Sequence, residues 1–142
     1  MGRRASRETA MKLLYQLEIQ REDREEQIEL VLNESALADK DKQYVKEVID
    51  GVFSNLAYLD KLIEKYSKAW KIERIPRVDL SILRLSMYEI SFREDIPLSV
   101  SINEAVELAK KYSGEDAGSF INGVLGKISR IRLLPVDKID GV

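Results

Sequence analysis

Apolar residues recur at spacings of three and four along almost the whole chain, and this periodicity most constrains the fold. Such spacing puts side chains on one side of an α-helix, whereas a half-buried β-strand needs apolar and polar residues to alternate. No such alternation persists anywhere in the sequence. The pattern therefore predicts an all-α protein with about seven helices, forming one compact domain over residues 1–142. Two small helical bundles sharing an interface would fit it, with halves at about 1–70 and 75–135.

Several boundaries follow from the same pattern. The spacing predicts a first helix over residues 5–22 and a bend near Asn55 between the third and fourth helices. Pro76 suits the first turn of a fifth helix. That helix is apolar nearly all round, so it should be the most buried one.

Helix caps are predicted from short polar residues next to apolar runs. Asp39 or Asp41 can cap the third helix. Ser101 and Glu104 have the spacing of a capping box at the start of the sixth. Asp116 can cap a seventh helix that runs from residue 117 to about 132.

The composition excludes several kinds of site. The chain has no Cys and no His, which removes disulfides, thiol nucleophiles, imidazole catalysis and zinc sites built from S or N ligands. Carboxylates, Lys, Ser and Tyr remain, but the acidic pairs lie in a highly charged segment without an apolar pocket. Gly-rich phosphate loops are absent. We therefore predict no enzyme, no catalytic residue, no metal and no cofactor.

The sequence also carries no membrane or export signal. No apolar run approaches the roughly 18 residues of a membrane span, and no apolar segment follows the basic start as in a secretory signal. The lack of Cys fits a reducing compartment. A cytoplasmic protein without a membrane partner is the resulting expectation.

Positive charge is concentrated in two stretches although the net charge is −2. The first begins the chain and includes Arg3, Arg4 and Arg7. Guanidinium groups bind phosphate and stack on bases, so this stretch could be a basic arm that becomes ordered on RNA. The alternative is a solvated, frayed terminus.

The second basic stretch covers residues 61–77. Its Lys61, Lys65 and Lys68 form a stripe at helical spacing, with Tyr66 and Trp70 interleaved. Cations alternating with aromatic rings could bind a nucleic-acid backbone and stack on its bases. Alternatively, the two rings pack inward while the lysines keep the outer face in solvent.

The segment 119–125 is the most informative short stretch. Phe120 and Val124 share one side of a helix, and Gly123 lies off that side. Glycine inside a helix costs about 1 kcal/mol relative to alanine. Its presence suggests close approach by another helix or a ligand, and the alternative is ordinary core packing.

Taken together, the order and spacing of these and other segments resemble the NusB family of bacterial transcription antitermination factors. The segments that carry the resemblance run nearly from end to end: residues 3–8 with Ala10 and Leu14-Tyr15, residues 58–60, residues 83–89, Ile96-Pro97, residues 102–110 and residues 120–125. Each segment alone is weakly diagnostic, whereas their combination is specific.

The resemblance implies an all-helical fold of two small bundles that binds the single-stranded boxA element of nascent ribosomal RNA transcripts. It implies action with NusE, which is also a small-subunit ribosomal protein, in an RNA polymerase antitermination complex. By position, the RNA contacts implied are Arg3, Arg4, Arg7, Tyr66, Asp116, Ser119 and Phe120. The NusE contacts implied are Tyr15, Asp79 and Arg84.

Two departures from the family pattern bear on RNA affinity. Gly126 stands where many members have an acid, and Ala5 and Ser6 interrupt the arginine run. Two alternative functions remain: an RNA-binding appendage of a ribosomal RNA cytosine methyltransferase, and a helical adaptor that binds only protein. The oligomeric state is open, and a homodimer could hide the arginine arm.

Overall fold

A computed structural model of the chain describes residues 2–68 and 70–128, and over these residues the protein is all-helical, as predicted. The seven α-helices in this part are α1 (Gly2–Ile19), α2 (Arg24–Glu34), α3 (Asp39–Ser54), α4 (Leu56–Ser67), α5 (Arg77–Phe92), α6 (Leu98–Tyr112) and α7 (Glu115–Ile128). A short 3-10 turn, Ile72–Arg74, precedes α5. The predicted continuation of the last helix to residue 132 lies outside the described residues.

Helix α5 is the central element, which confirms the prediction from its apolar composition. Every residue from Asp79 to Ile90 is buried, because α5 packs against α1, α3, α4, α6 and α7. Helices α1 and α3 pack together on one side of it, and α6 and α7 form a hairpin on another. Helix α4 packs on α5 and α7. The predicted division of the chain into two helical halves near residues 70–75 stays a prediction.

The predicted bend between α3 and α4 is confirmed at Asn55, the single residue between these helices. Its side-chain amide donates to the carbonyl of Gly51 at 2.8 Å. Pro76 directly precedes α5 rather than lying inside its first turn. Among the described residues, no helix has both the length and the apolar character needed to cross a bilayer.

The predicted capping box at Ser101 is wrong. Helix α6 begins three residues earlier, at Leu98, because Pro97 already supplies a backbone conformation from which a helix can start. Ser101 lies inside the helix, where its hydroxyl donates to Glu89 Oε1 at 2.8 Å. Glu104 instead pairs with α1.

The aspartates predicted as helix caps lie within the first turns of their helices and not at the cap positions. Asp39 and Asp41 both belong to the first turn of α3, and Ala38 occupies the cap position. Asp116 lies in the first turn of α7, after Gly114, whose φ of +126° is a conformation that favours glycine. Carboxylates there still interact favourably with the positive end of the helix dipole.

Candidate nucleic-acid interface

The basic start of the chain is the first turn of α1 rather than a frayed terminus, since the helix begins at Gly2. Arg4 projects to solvent with 70% of its side chain exposed, and it binds Glu104 of α6. Its Nε donates to Oε1 at 3.0 Å and its Nη2 to Oε2 at 2.6 Å. These hydrogen bonds lower the pKa of Glu104. Arg4 is therefore a positioned cation that solvent can reach.

Arg3 is held differently. It is half-buried, and its guanidinium lies 4.2 Å from the centroid of the Tyr44 ring. At that distance the cation is attracted to the ring face. Arg3 and Arg4 are thus both positioned by neighbours before any ligand binds.

Arg7 lies inside the protein and is only 5% exposed. Its Nε and Nη2 donate to the two carboxylate oxygens of Glu89 at 2.9 and 3.1 Å. Tyr44 and Ser101 donate to the same carboxylate. Burial and the charge of Glu89 raise the pKa of Tyr44. This burial conflicts with the prediction that Arg7 contacts RNA directly, and the residue instead fixes the start of α1.

A wide groove of about 1470 Å³ runs beside the arginines. Its walls are the start of α1, the α2–α3 and α5–α6 connections and one face of α6. Cations and carboxylates both line it: Arg3, Arg4, Arg7, Glu8, Asp41, Asp95, Glu104, Glu107 and Lys111. The surface therefore carries mixed charge, with its three arginines on the α1 edge and Lys111 on α6.

The second turn of α1 is tied to the end of α6. Glu8 accepts hydrogen bonds from Lys111 Nζ at 2.6 Å and from the Tyr112 hydroxyl at 2.7 Å, and these bonds lower its pKa. Lys12 and Lys111 each lie 5.4 Å from the Tyr112 ring. Lys111 is thus close in sequence to the start of α7 at Glu115.

The start of α7 carries three of the predicted RNA contacts. Asp116 and Ser119 are exposed, and Phe120 is half-buried against the core. The Phe120 ring meets the ring of Trp70 edge-on, with centroids 6.2 Å apart. Tyr66, on α4, is also half-buried, with Lys65 Nζ 5.4 Å from its ring. None of these rings is sealed in the interior.

Arg3 and Arg4 on α1 and Phe120 on α7 are two separate parts of the candidate interface. Across residues 2–68 and 70–128, no hydrogen bond, ion pair or ring contact joins Arg3 or Arg4 to Phe120. The link between them runs through α6, from Glu104 to Tyr112. Their convergence on one RNA-binding surface stays a prediction.

Gly118, not Gly123, permits the close approach between helices. A Cβ on Gly118 would lie 2.9 Å from Lys110 Cγ on α6, whereas a Cβ on Gly123 would have no atom within 4 Å. Gly123 is exposed, so within the protein the expected helix contact at this residue is not found.

Of the predicted NusE contacts, only Tyr15 is exposed, and Ile19 one turn later adds an exposed apolar side chain. Arg84 is buried, with two hydrogen bonds to Asp60 at 2.9 and 2.8 Å and one to Glu18 at 3.0 Å. It ties α1, α4 and α5 together. Its burial conflicts with the prediction of a direct partner contact.

Asp79 is also buried, which conflicts with the same prediction. Its Oδ1 has no hydrogen-bond partner among the described residues. Burial raises the pKa of this carboxyl, against the opposite effect of a hydrogen bond with Ser113. In the same part of the chain, no cluster of three or more acidic side chains could hold a metal ion.

Comparisons with known proteins cover nearly the whole chain. The sequence profile of the NusB family matches residues 4–130. The transcription antitermination protein NusB of Ruminiclostridium cellulolyticum is 60% identical over 130 residues, which cover 92% of this chain and 90% of that protein. The protein of the same name from Acetivibrio thermocellus is 58% identical over 137 residues, covering 96% and 94%.

Solved structures agree. T. maritima NusB superposes with a TM-score of 0.86 at 39% identity, covering 97% of this chain and 96% of that one. A chain in the crystal structure of antitermination factors NusB and NusE in complex with dsRNA superposes with a TM-score of 0.82 at 30% identity, covering 92% and 97%. The resemblance inferred from the sequence is confirmed, and this chain belongs to the NusB family.

Proposed function

We propose that the protein is a transcription antitermination factor that acts by binding RNA, without chemistry of its own. Its RNA is the boxA element of nascent ribosomal RNA transcripts, and NusE binds beside it. The pair then joins the antitermination complex on RNA polymerase, which places the protein in the cytoplasm. Two relatives of 60% and 58% identity are named transcription antitermination proteins, and a 30% identical neighbour was crystallised with NusE and dsRNA.

One observation carries the RNA-binding part of the proposal: Arg4 is fixed by two hydrogen bonds to Glu104 and yet remains 70% exposed. An RNA phosphate can bind the remaining N–H donors of the guanidinium while Glu104 keeps the group oriented. Because the guanidinium is already oriented, little further ordering is needed on binding. Arg3 adds a second cation beside it.

Aromatic rings supply the other half of the proposed contact. Phe120 and Tyr66 offer partly exposed faces to unpaired bases, while Ser119 and Asp116 offer polar groups at the start of α7. Stacking is worth about 1–3 kcal/mol per base. With so few cations the protein alone should bind weakly, and contacts added by NusE should tighten the complex.

Tyr15 and Ile19 form the proposed contact with NusE, because they are neighbouring exposed side chains on α1. The buried Arg84 orders this helix through Glu18 and is not itself in the contact. Binding of NusE without any RNA would instead indicate a protein-only adaptor. A longer protein bearing a methyltransferase domain would indicate the appendage.

The test is fluorescence anisotropy with a labelled boxA RNA, a scrambled strand and a boxA duplex, at two salt concentrations, with and without NusE. The duplex is included because the neighbouring complex contains dsRNA. We expect preference for single-stranded boxA, tighter binding with NusE and weaker binding at high salt. Equal binding to boxA and scrambled strands would refute sequence-specific recognition.

A further inference from the structure

A second basic surface lies on α4 and the segment that follows it. It is a groove of about 380 Å³. The residues that line it are Lys61, Glu64, Lys65, Lys68, Trp70 and Lys71. We refer to it as the lysine groove.

The lysines of this groove lack acidic partners. Within the described part of the chain, none of the four forms an ion pair, although ten ion pairs occur elsewhere. The one carboxylate in the groove, on Glu64, accepts a hydrogen bond from the backbone N–H of Ile72 at 2.9 Å. Like charges gathered around one depression repel each other, and a polyanion would relieve that repulsion.

Trp70 gives the groove an aromatic wall. The residue is 45% exposed, and its carbonyl accepts a hydrogen bond from the Ser67 hydroxyl at 2.8 Å. The edge-on contact with Phe120 fixes the direction of the ring. The indole therefore lies between the lysines and the aromatic residue of the proposed boxA site.

We propose that the lysine groove binds single-stranded RNA that continues beyond the boxA segment held at Phe120. The lysines contact phosphates, and Trp70 stacks on one base. This inference rests on the proposed function and extends its RNA site. An acidic peptide would match the charge of the groove, but it would not use the exposed face of the indole. The contact of Trp70 with Phe120 also makes the groove continuous with the proposed RNA site.

The test compares a short boxA RNA with the same RNA extended by six uridines at each end. The groove variant is Lys61→Gln/Lys68→Gln/Lys71→Gln, which leaves Lys65 beside Tyr66 unchanged. The matched control, Lys40→Gln/Lys42→Gln/Lys46→Gln, changes the net charge equally on α3. For the parent and the control we expect the extended RNA to bind about tenfold more tightly than the short one, with a steeper salt dependence.

The groove variant should lose that gain while binding the short RNA like the parent. Trp70→Leu should lower the gain roughly fivefold or more without changing the salt slope, because stacking carries no charge. Circular dichroism establishes that each variant is folded.

Three results would overturn the inference. If the parent gains nothing from the uridines while still binding the short RNA, the lysine groove is not an RNA site and the proposed function stands. If the short RNA does not bind even with NusE present, both fail. If free polyglutamate removes the gain from the uridine extension as well as free oligouridine of equal charge does, the groove is a docking site for acidic protein segments.

Discussion

Arg7 provides a sharp test of how the start of α1 is held. Its guanidinium and the Glu89 carboxylate are buried together, with Tyr44 and Ser101 donating to the same carboxylate. Arg7→Met keeps the volume of the side chain but leaves the Glu89 charge without its cation. Removing one partner of a buried pair typically costs about 3–5 kcal/mol.

That loss is a large fraction of the 5–15 kcal/mol typical of a folded domain. With an m-value of about 2 kcal/mol per molar urea, the unfolding midpoint should fall by roughly 2 M. Urea unfolding followed by far-UV circular dichroism measures this. Arg4→Met is the control, and its midpoint should equal that of the parent because the Arg4 pair is exposed.

The double variant Arg7→Met/Glu89→Leu sharpens the test. Because it removes both charges, it should recover much of the lost stability. An Arg7→Met midpoint equal to that of the Arg4→Met control would refute the buried-pair argument. RNA affinity measured on folded Arg7→Met would then report on a direct contact instead.

Four further predictions concern stability and partner binding. Gly51→Ala should lower the melting temperature, because the added Cβ would lie 2.1 Å from the Tyr88 ring. Gly123→Ala, whose Cβ would have no atom within 4 Å, should stabilise α7 by about 1 kcal/mol. Asp79→Asn should stabilise the protein at pH 7, because burial raises the pKa of Asp79 in the native state. The parent therefore loses stability as the pH rises from the unfolded-state pKa of about 3.9 through the raised native pKa. Urea titrations at low pH should show no gain from the substitution. Tyr15→Ala should weaken NusE binding at least threefold by calorimetry with folding unchanged; an unchanged Kd would remove Tyr15 from the contact.

The fold was predictable because its signals are local. Apolar spacing alone indicated the helices, and the apolar residues on all sides of α5 indicated its central position. The start of α6 was predicted incorrectly because Ser101 is a good cap by local rules. Its hydroxyl is instead directed to Glu89, a buried acid on another helix, and local spacing does not reveal such a contact.

The candidate site was less predictable, for a related reason. Arg7 and Arg84 were predicted by resemblance as RNA and NusE contacts, whereas both side chains are buried beside carboxylates. Their partners Glu89 and Asp60 are 82 and 24 residues away in the sequence. The contact of Trp70 with Phe120 was missed likewise, because the two rings come from segments far apart in the sequence.

The central claim is that the first turn of α1 and the start of α7 form one RNA-binding surface. Titrating isotope-labelled protein with unlabelled boxA RNA and following amide chemical shifts tests it directly. We predict that the amides of Arg3 and Arg4 and those of Ser119 and Phe120 shift together and saturate at one RNA equivalent. Shifts confined to only one of these two segments would contradict the account.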